Sequence, residues 1–263
     1  MPLDHNENRL VATPLCWLHG FTQTGASAHQ FQSILAGTRE MLTPDLARHG
    51  ANALTGGSLE EIADAVDAQL PVEQVDLGGY SFGARVALHV ALRHPQRIRR
   101  LALIGATRGI AEETERRARR ERDELLATRI EQIGLEPFLD EWLSQPMFAN
   151  LPDDASERAS RQGQRADSLA SSLREAGTGT QRWLGDQLDQ LTLPLLAIAG
   201  ASDERFSREA RAIARGAPHA SAQLVPGAGH ATHLHQPVWS ARLIENFLSE
   251  SRDEKTAHTE QQP

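Results

Sequence analysis

The sequence predicts an α/β fold built on a doubly wound, mostly parallel sheet, with an all-helical cap inserted near its middle. Three observations carry this. Short apolar runs recur along the chain, each bounded by Gly or Pro and several apolar on both faces, as buried parallel strands are. Helical patterns alternate with them, the signature of parallel strands joined by crossover helices. From residue 111 to 188 the alternation stops, and only charged helical sequence remains.

Taken in order, Leu15–Leu18 is the first strand and runs into His19-Gly20-Phe21. Met41–Thr43 is the second, closed by Pro44-Asp45. Val75–Leu77 is the third, ending at Gly78-Gly79 and followed by a helix over Gly83–Leu92. Leu101–Ile104 ends at Gly105, Leu195–Ala199 at Gly200, and Ala222–Val225 at Pro226-Gly227. A last helix spans Val238–Leu248. The predicted organisation is a core of residues 9–110 and 189–250, a cap of residues 111–188, and a polar, disordered tail of residues 251–263. The cap is expected over the C-terminal edge of the sheet, where ligands of open α/β sheets bind.

Composition narrows the function. Of 263 residues, 35 are acidic and 27 basic, a net charge of −8 that argues against nucleic acid, whose binders present a basic face. No apolar run approaches the ~20 residues of a membrane span. The polar N-terminus lacks the basic and apolar regions of a secretory signal. A single cysteine, Cys16, allows neither an internal disulfide nor a thiolate cluster. The expectation is a cytoplasmic protein with no membrane or nucleic-acid partner. Lys255 is the only lysine, and every other basic residue is arginine; arginine is the better fork for carboxylates.

The sharpest local signal is Gly79-Tyr80-Ser81-Phe82-Gly83, between a predicted strand and a predicted helix. That strand–turn–helix context is what a nucleophile elbow needs, because the glycines let the backbone turn tightly enough to push out the serine hydroxyl. A glycine-rich turn with an exposed serine is the bland alternative. Order and partners favour chemistry. Asp203, in Gly200-Ala201-Ser202-Asp203, and His230, in Pro226-Gly227-Ala228-Gly229-His230, both follow predicted strands and complete a Ser–acid–His order. Asp76, Asp186 and Asp189 lie on a strand start or the cap surface, and His233 and His235 beyond the glycine loop suit packing or solvent. The Phe21 and Phe82 N–H groups would form an oxyanion hole. His19 reads as a loop-stabilising histidine.

With these pieces in place, the chain resembles the α/β-hydrolase superfamily over its ordered length. More narrowly it resembles the 2-succinyl-6-hydroxy-2,4-cyclohexadiene-1-carboxylate (SHCHC) synthases of menaquinone biosynthesis. The resemblance rests on GYSFGAR at Gly79–Arg85, ERRARRERDELLA at Glu115–Ala127 and WLSQPMF at Trp142–Phe148. It extends to Arg161 with LASSLREAGTG after it, and to SDERF at Ser202–Phe206. The cap motifs discriminate, since ordinary esterases share the elbow and not these. There are departures: Asp45-Leu46-Ala47-Arg48-His49-Gly50 replaces D-L-P-G-H-G, Thr107-Arg108-Gly109 replaces His-Pro-Gly, and Ala84 stands where glycine is usual.

The resemblance implies a cofactor-independent lyase with a tricarboxylate small-molecule substrate, which loses pyruvate by elimination. It assigns Arg85, Arg119 and Arg161 to the three carboxylates, Trp142 to the pocket wall, and Tyr80 to substrate contact. Arg116, Arg117, Arg120 and Arg122 read instead as a solvated helix face paired to glutamates. The implied chemistry has His230, oriented by Asp203, activating Ser81 as general base on a ring proton. Nothing in the sequence has metal-ligand spacing. Two rivals remain: a serine hydrolase of esters or C–C bonds using the same triad, and an inactive ligand-binding protein on the same fold.

Overall fold

Apolar side chains on both faces of the strands demand cover on both sides, and the chain supplies it. The computed structural model describes residues 12–50, 56–71, 73–152 and 154–250; the predicted tail, 251–263, and the start of the predicted core, residues 9–11, lie outside them. Six parallel strands form one sheet in the order β2-β1-β3-β4-β5-β6: β1 Leu15–Leu18, β2 Met41–Leu42, β3 Val75–Tyr80, β4 Ile98–Ile104, β5 Leu195–Gly200 and β6 Ala220–Val225. Alternation along β4 shows why both faces must be covered. Leu101 and Leu103 enter the core on one side, Ala102 and Ile104 on the other.

Helices α2 (Leu59–Asp67), α3 (Phe82–Arg93) and α8 (Glu204–Gly216) cover the first face, and α1 (His29–Ala36) and α10 (Pro237–Ser249) the second. The start of α2 is set locally. Ser58 accepts the Glu61 N–H while the Glu61 carboxylate accepts the Ser58 N–H, a capping box. Its buried Leu59, Ile62, Ala63 and Val66 then form one helical stripe.

Strands β3 to β6 all exceed their predicted length, β5 by one residue and β6 by two, and for β3 and β4 the physical reason is visible. β3 runs on through Gly78 and Gly79, because a Cβ at Gly78 would fall 2.7 Å from the Trp17 ring of β1. Those glycines are packing residues inside a strand. β4 begins at Ile98 and carries Arg99 and Arg100 into the sheet. Arg99, with Arg39, meets the buried Asp76 carboxylate at 2.5 and 3.0 Å. That engagement keeps Asp76 structural.

Between β4 and β5 the described residues hold only helices and turns: α4 (Glu113–Ile133), α5 (Leu135–Leu143), α6 (Ala155–Gln162) and α7 (Ala166–Ala176). Their own core joins Ala127, Ile130, Phe138, Leu169, Ala170 and Leu173. The strand order places the site. The chain leaves β1 toward β2 on one side and returns to β3 on the other, so the loops after β1 and β3 flank a topological switch point. No described helix is long and apolar enough to cross a membrane.

Candidate active site

Ser81 stands between β3 and α3 with φ 52° and ψ −103°, a left-handed conformation that a non-glycine residue adopts only under constraint. The flanking glycines are the constraint's other half. A Cβ at Gly79 would lie 2.6 Å from the Gly83 carbonyl, and one at Gly83 would lie 2.1 Å from the Leu18 carbonyl oxygen. Ser81 N–H donates to Ile104 O at 2.8 Å, which ties the turn to β4.

His230 reaches Ser81 from the loop after β6. Its Nε2 lies 2.9 Å from Ser81 Oγ. On the other side its Nδ1 is 3.2 Å from Asp203 Oδ2, ion-pair distance but off the line of a hydrogen bond. Asp203 precedes α8 and its Oδ1 accepts the Phe206 N–H at 3.2 Å, so the helix start orients the acid. The Phe206 ring lies 4.2 Å from the imidazole, centroid to centroid. Gly105, at φ 61°, passes so close that a Cβ there would sit 2.8 Å from His230 Cε1. Burial pushes the His230 pKa below its ordinary value; Asp203 opposes that shift and the Arg205 charge reinforces it. Burial would raise Asp203, but His230 and the Phe206 N–H bring it below the usual carboxylate value.

Above the triad lies a cavity of about 480 Å³. Phe21, Tyr80, Phe82, Trp142, Met147, Phe148 and Phe206 form its apolar wall, and Ser81 and His230 its floor. Among the described residues four arginines line it, Arg85, Arg119, Arg122 and Arg205, and no Asp or Glu does. Arg85 is buried and donates to the Ala176 carbonyl at 2.9 Å. Burial and the neighbouring Arg119 charge push its pKa down to about 9. Arg119 Nε holds Asp123 Oδ1 at 2.8 Å. Among the described residues, no carboxylate stands within ion-pair distance of Arg85, Arg122 or Arg205. A cavity so lined is built for an anion.

Residues 13–237 match the α/β hydrolase fold family. The chain belongs to that family. It is similar to a protein of Bacillus subtilis (strain 168) named "Putative 2-succinyl-6-hydroxy-2,4-cyclohexadiene-1-carboxylate synthase", with 31% identity over 88% of this chain and 89% of the relative. A Serratia proteamaculans (strain 568) protein named 2-succinyl-6-hydroxy-2,4-cyclohexadiene-1-carboxylate synthase is 32% identical over 89% and 92%. Among solved structures, MenH from S. aureus superposes with a TM-score of 0.84 at 28% identity, covering 92% of this chain and 95% of that one.

This α/β hydrolase gathers Ser81, Asp203, His230, Phe21, Phe82, Tyr80, Arg85, Arg119 and Trp142 at one place. All of them except Asp203, which stands behind His230, line the cavity. Neither the Phe21 nor the Phe82 N–H has an acceptor among the described residues. Two sequence expectations need correction. Arg161 does not line the cavity. It is buried against the loop after β1, where it donates to Thr22 Oγ1 and to Glu157 at 2.6 Å. Arg122 does line the cavity, because α4 turns that face toward the triad, whereas Arg116 and Arg120 pair with Glu113 as a solvated helix face does. Arg205 carries no sequence motif of its own; its signal is its place two residues after Asp203, in the first turn of α8. His19 bridges loops, donating to Gly20 O and accepting the Leu46 N–H, both at 2.9 Å, and burial pushes its pKa down to about 4.

The His230 environment sets a pH profile. A histidine that acts as base must be neutral to accept a proton, so the depressed pKa of His230 would extend activity downward in pH. The acid limb of kcat/KM should have its midpoint below the ordinary histidine value of 6.5. Arg205→Gln removes a cation that disfavours the imidazolium and should move that midpoint up. A wild-type midpoint at or above 6.5 would contradict the burial argument.

Proposed function

We propose that this chain is a cytoplasmic lyase of menaquinone biosynthesis. It eliminates pyruvate from 2-succinyl-5-enolpyruvyl-6-hydroxy-3-cyclohexene-1-carboxylate and releases 2-succinyl-6-hydroxy-2,4-cyclohexadiene-1-carboxylate. The observation that carries the reading is the set of four arginines over a serine triad, in a cavity whose described lining holds no Asp or Glu, which suits a substrate bearing three carboxylates. The names of the relatives point the same way.

In this reading His230 Nε2 draws the proton from Ser81 Oγ, and the serine oxygen takes a ring proton of the substrate. The electron pair left behind becomes an enolate, whose oxygen faces the Phe21 and Phe82 N–H groups. Collapse of the enolate breaks the C–O bond to the enolpyruvyl group, whose oxygen keeps the electron pair; the departing enolate takes up on carbon the proton that His230 carries, becoming pyruvate and leaving His230 neutral and Ser81 protonated. No acyl-enzyme is formed. Arg85, Arg119 and Arg205 hold carboxylates bidentately, and Trp142 and Tyr80 shape the ring site.

The test is pyruvate release from that substrate, followed with lactate dehydrogenase, with EDTA present and beside hydrolysis of a nitrophenyl ester. Pyruvate release unaffected by EDTA, with much slower ester turnover, is the expected result. Efficient ester hydrolysis without pyruvate release would replace this reading with a serine hydrolase.

A further inference from the structure

The loop that carries Phe21 is held in place by the cap. Residues 19–28 connect β1 to α1, and two of them, Thr22 at φ 67° and Ala28 at φ 59°, occupy the left-handed region without being glycine. Thr22 is β-branched, so the conformation is unfavourable for it in isolation and persists only where neighbours enforce it. Here the neighbours are side chains of α6 and the turn after it.

Arg161 donates to Thr22 Oγ1. Gln164 Nε2 donates to the Thr22 carbonyl at 3.3 Å and the Gln23 carbonyl at 2.7 Å. Glu157 Oε2 accepts the Ala28 N–H at 2.7 Å, and its Oε1 accepts from Gln23 Nε2 at 2.8 Å and Arg161 at 2.6 Å. Gln23 in turn accepts the Gly20 N–H at 2.9 Å, closing the loop from inside. Both strained residues, Thr22 directly after Phe21 and Ala28 at the end of the loop, are therefore bonded by one short cap helix and its following turn.

We infer that Glu157, Arg161 and Gln164 are positioning residues for the oxyanion hole. They brace Thr22 and Ala28 in their strained conformations and so aim the Phe21 N–H at the oxygen on which charge develops. This rests on the assignment of Phe21 as an oxyanion donor. Its consequence is that a cap substitution outside the cavity weakens chemistry more than substrate binding.

The test reads the hole through two routes: pyruvate release, and the second-order rate at which a fluorophosphonate labels Ser81, with Ser81→Ala as the labelling control. Gln164→Ala and the more conservative Glu157→Gln should each lower labelling and kcat about tenfold to a hundredfold, part of the ~10²–10³-fold that loss of a whole oxyanion donor costs. KM and the thermal midpoint should stay near wild type. In a Thr22→Gly background the Gln164→Ala loss should shrink below about threefold, because glycine holds a positive φ unaided. Equal losses in both backgrounds, or losses confined to KM or to melting, would overturn the brace. A wild-type chain that labels but releases no pyruvate would sink the lyase reading alone, with the labelling series still deciding the brace. No labelling at Ser81 would overturn the brace, while pyruvate release alone decides the lyase reading.

Discussion

Ser81→Ala should reduce pyruvate release by about 10²–10⁴-fold, the range that a positioned general base contributes. His230→Ala should fall in the same range, since its Nε2 lies 2.9 Å from Ser81 Oγ and in the proposed mechanism takes its proton. The size of the loss is itself informative. A triad acting through a covalent intermediate loses on the order of 10⁶-fold when its serine is removed, so the smaller figure would mark the serine as base, and the larger as nucleophile. The fold should survive, because alanine keeps the Cβ of a residue already constrained at φ 52° by Gly79 and Gly83. Near wild-type turnover by Ser81→Ala, measured by steady-state kinetics beside a melting curve, would end both the lyase and the hydrolase readings.

The arginines should separate by location. Arg85→Ala and Arg205→Ala each remove a cation that faces the cavity with no carboxylate partner among the described residues. Each should cost about 1.5–3 kcal/mol of substrate binding, or about tenfold to a hundredfold. Arg205 should act mostly through KM. Arg85, one helical turn beyond Ser81, should lower kcat as well. Arg119→Ala carries an added penalty, since it strands the buried Asp123 carboxylate that its Nε holds at 2.8 Å. Lysine replacements should recover part of each loss, because charge returns while the planar fork does not. Arg117→Ala, on the same cap helix but outside the cavity, serves as the control. If Arg205→Ala left KM unmoved and matched Arg117→Ala, the anion cavity would be wrongly drawn and an ester hydrolase would become the better reading.

Local rules made much of this legible in advance. The strands could be read because their apolar runs are short and bracketed by glycine or proline, and the elbow because its demands fall within five consecutive residues. Asp203 and His230 stand out in sequence because each follows a strand, and the structure brings both toward Ser81. What sequence could not supply was the destination of long side chains. Arg161 and Arg205 look alike on paper. Only the packing shows Arg161 engaged by Glu157 and Thr22, and Arg205 left facing the cavity. Arg122 was misassigned for a related reason: a helix with charge all round gives no apolar stripe from which to judge its inward face. The start of β4 was hidden because Arg99 and Arg100 look unfit for a sheet until Asp76 is seen beside them.

The order of strands also bears on how this protein becomes active. Ser81 and His230 stand 149 positions apart, and the Phe21 loop belongs to the first strand whereas the histidine follows the last. No fragment that folds from local contacts contains the site. Parallel pairing of this kind closes long loops before it is rewarded, and such topologies fold slowly. Catalytic competence must therefore be among the last properties to appear during refolding. Recovery of turnover is accordingly a more demanding measure of completed folding than helix content, which α4 and α7 can acquire early and on their own side of the molecule.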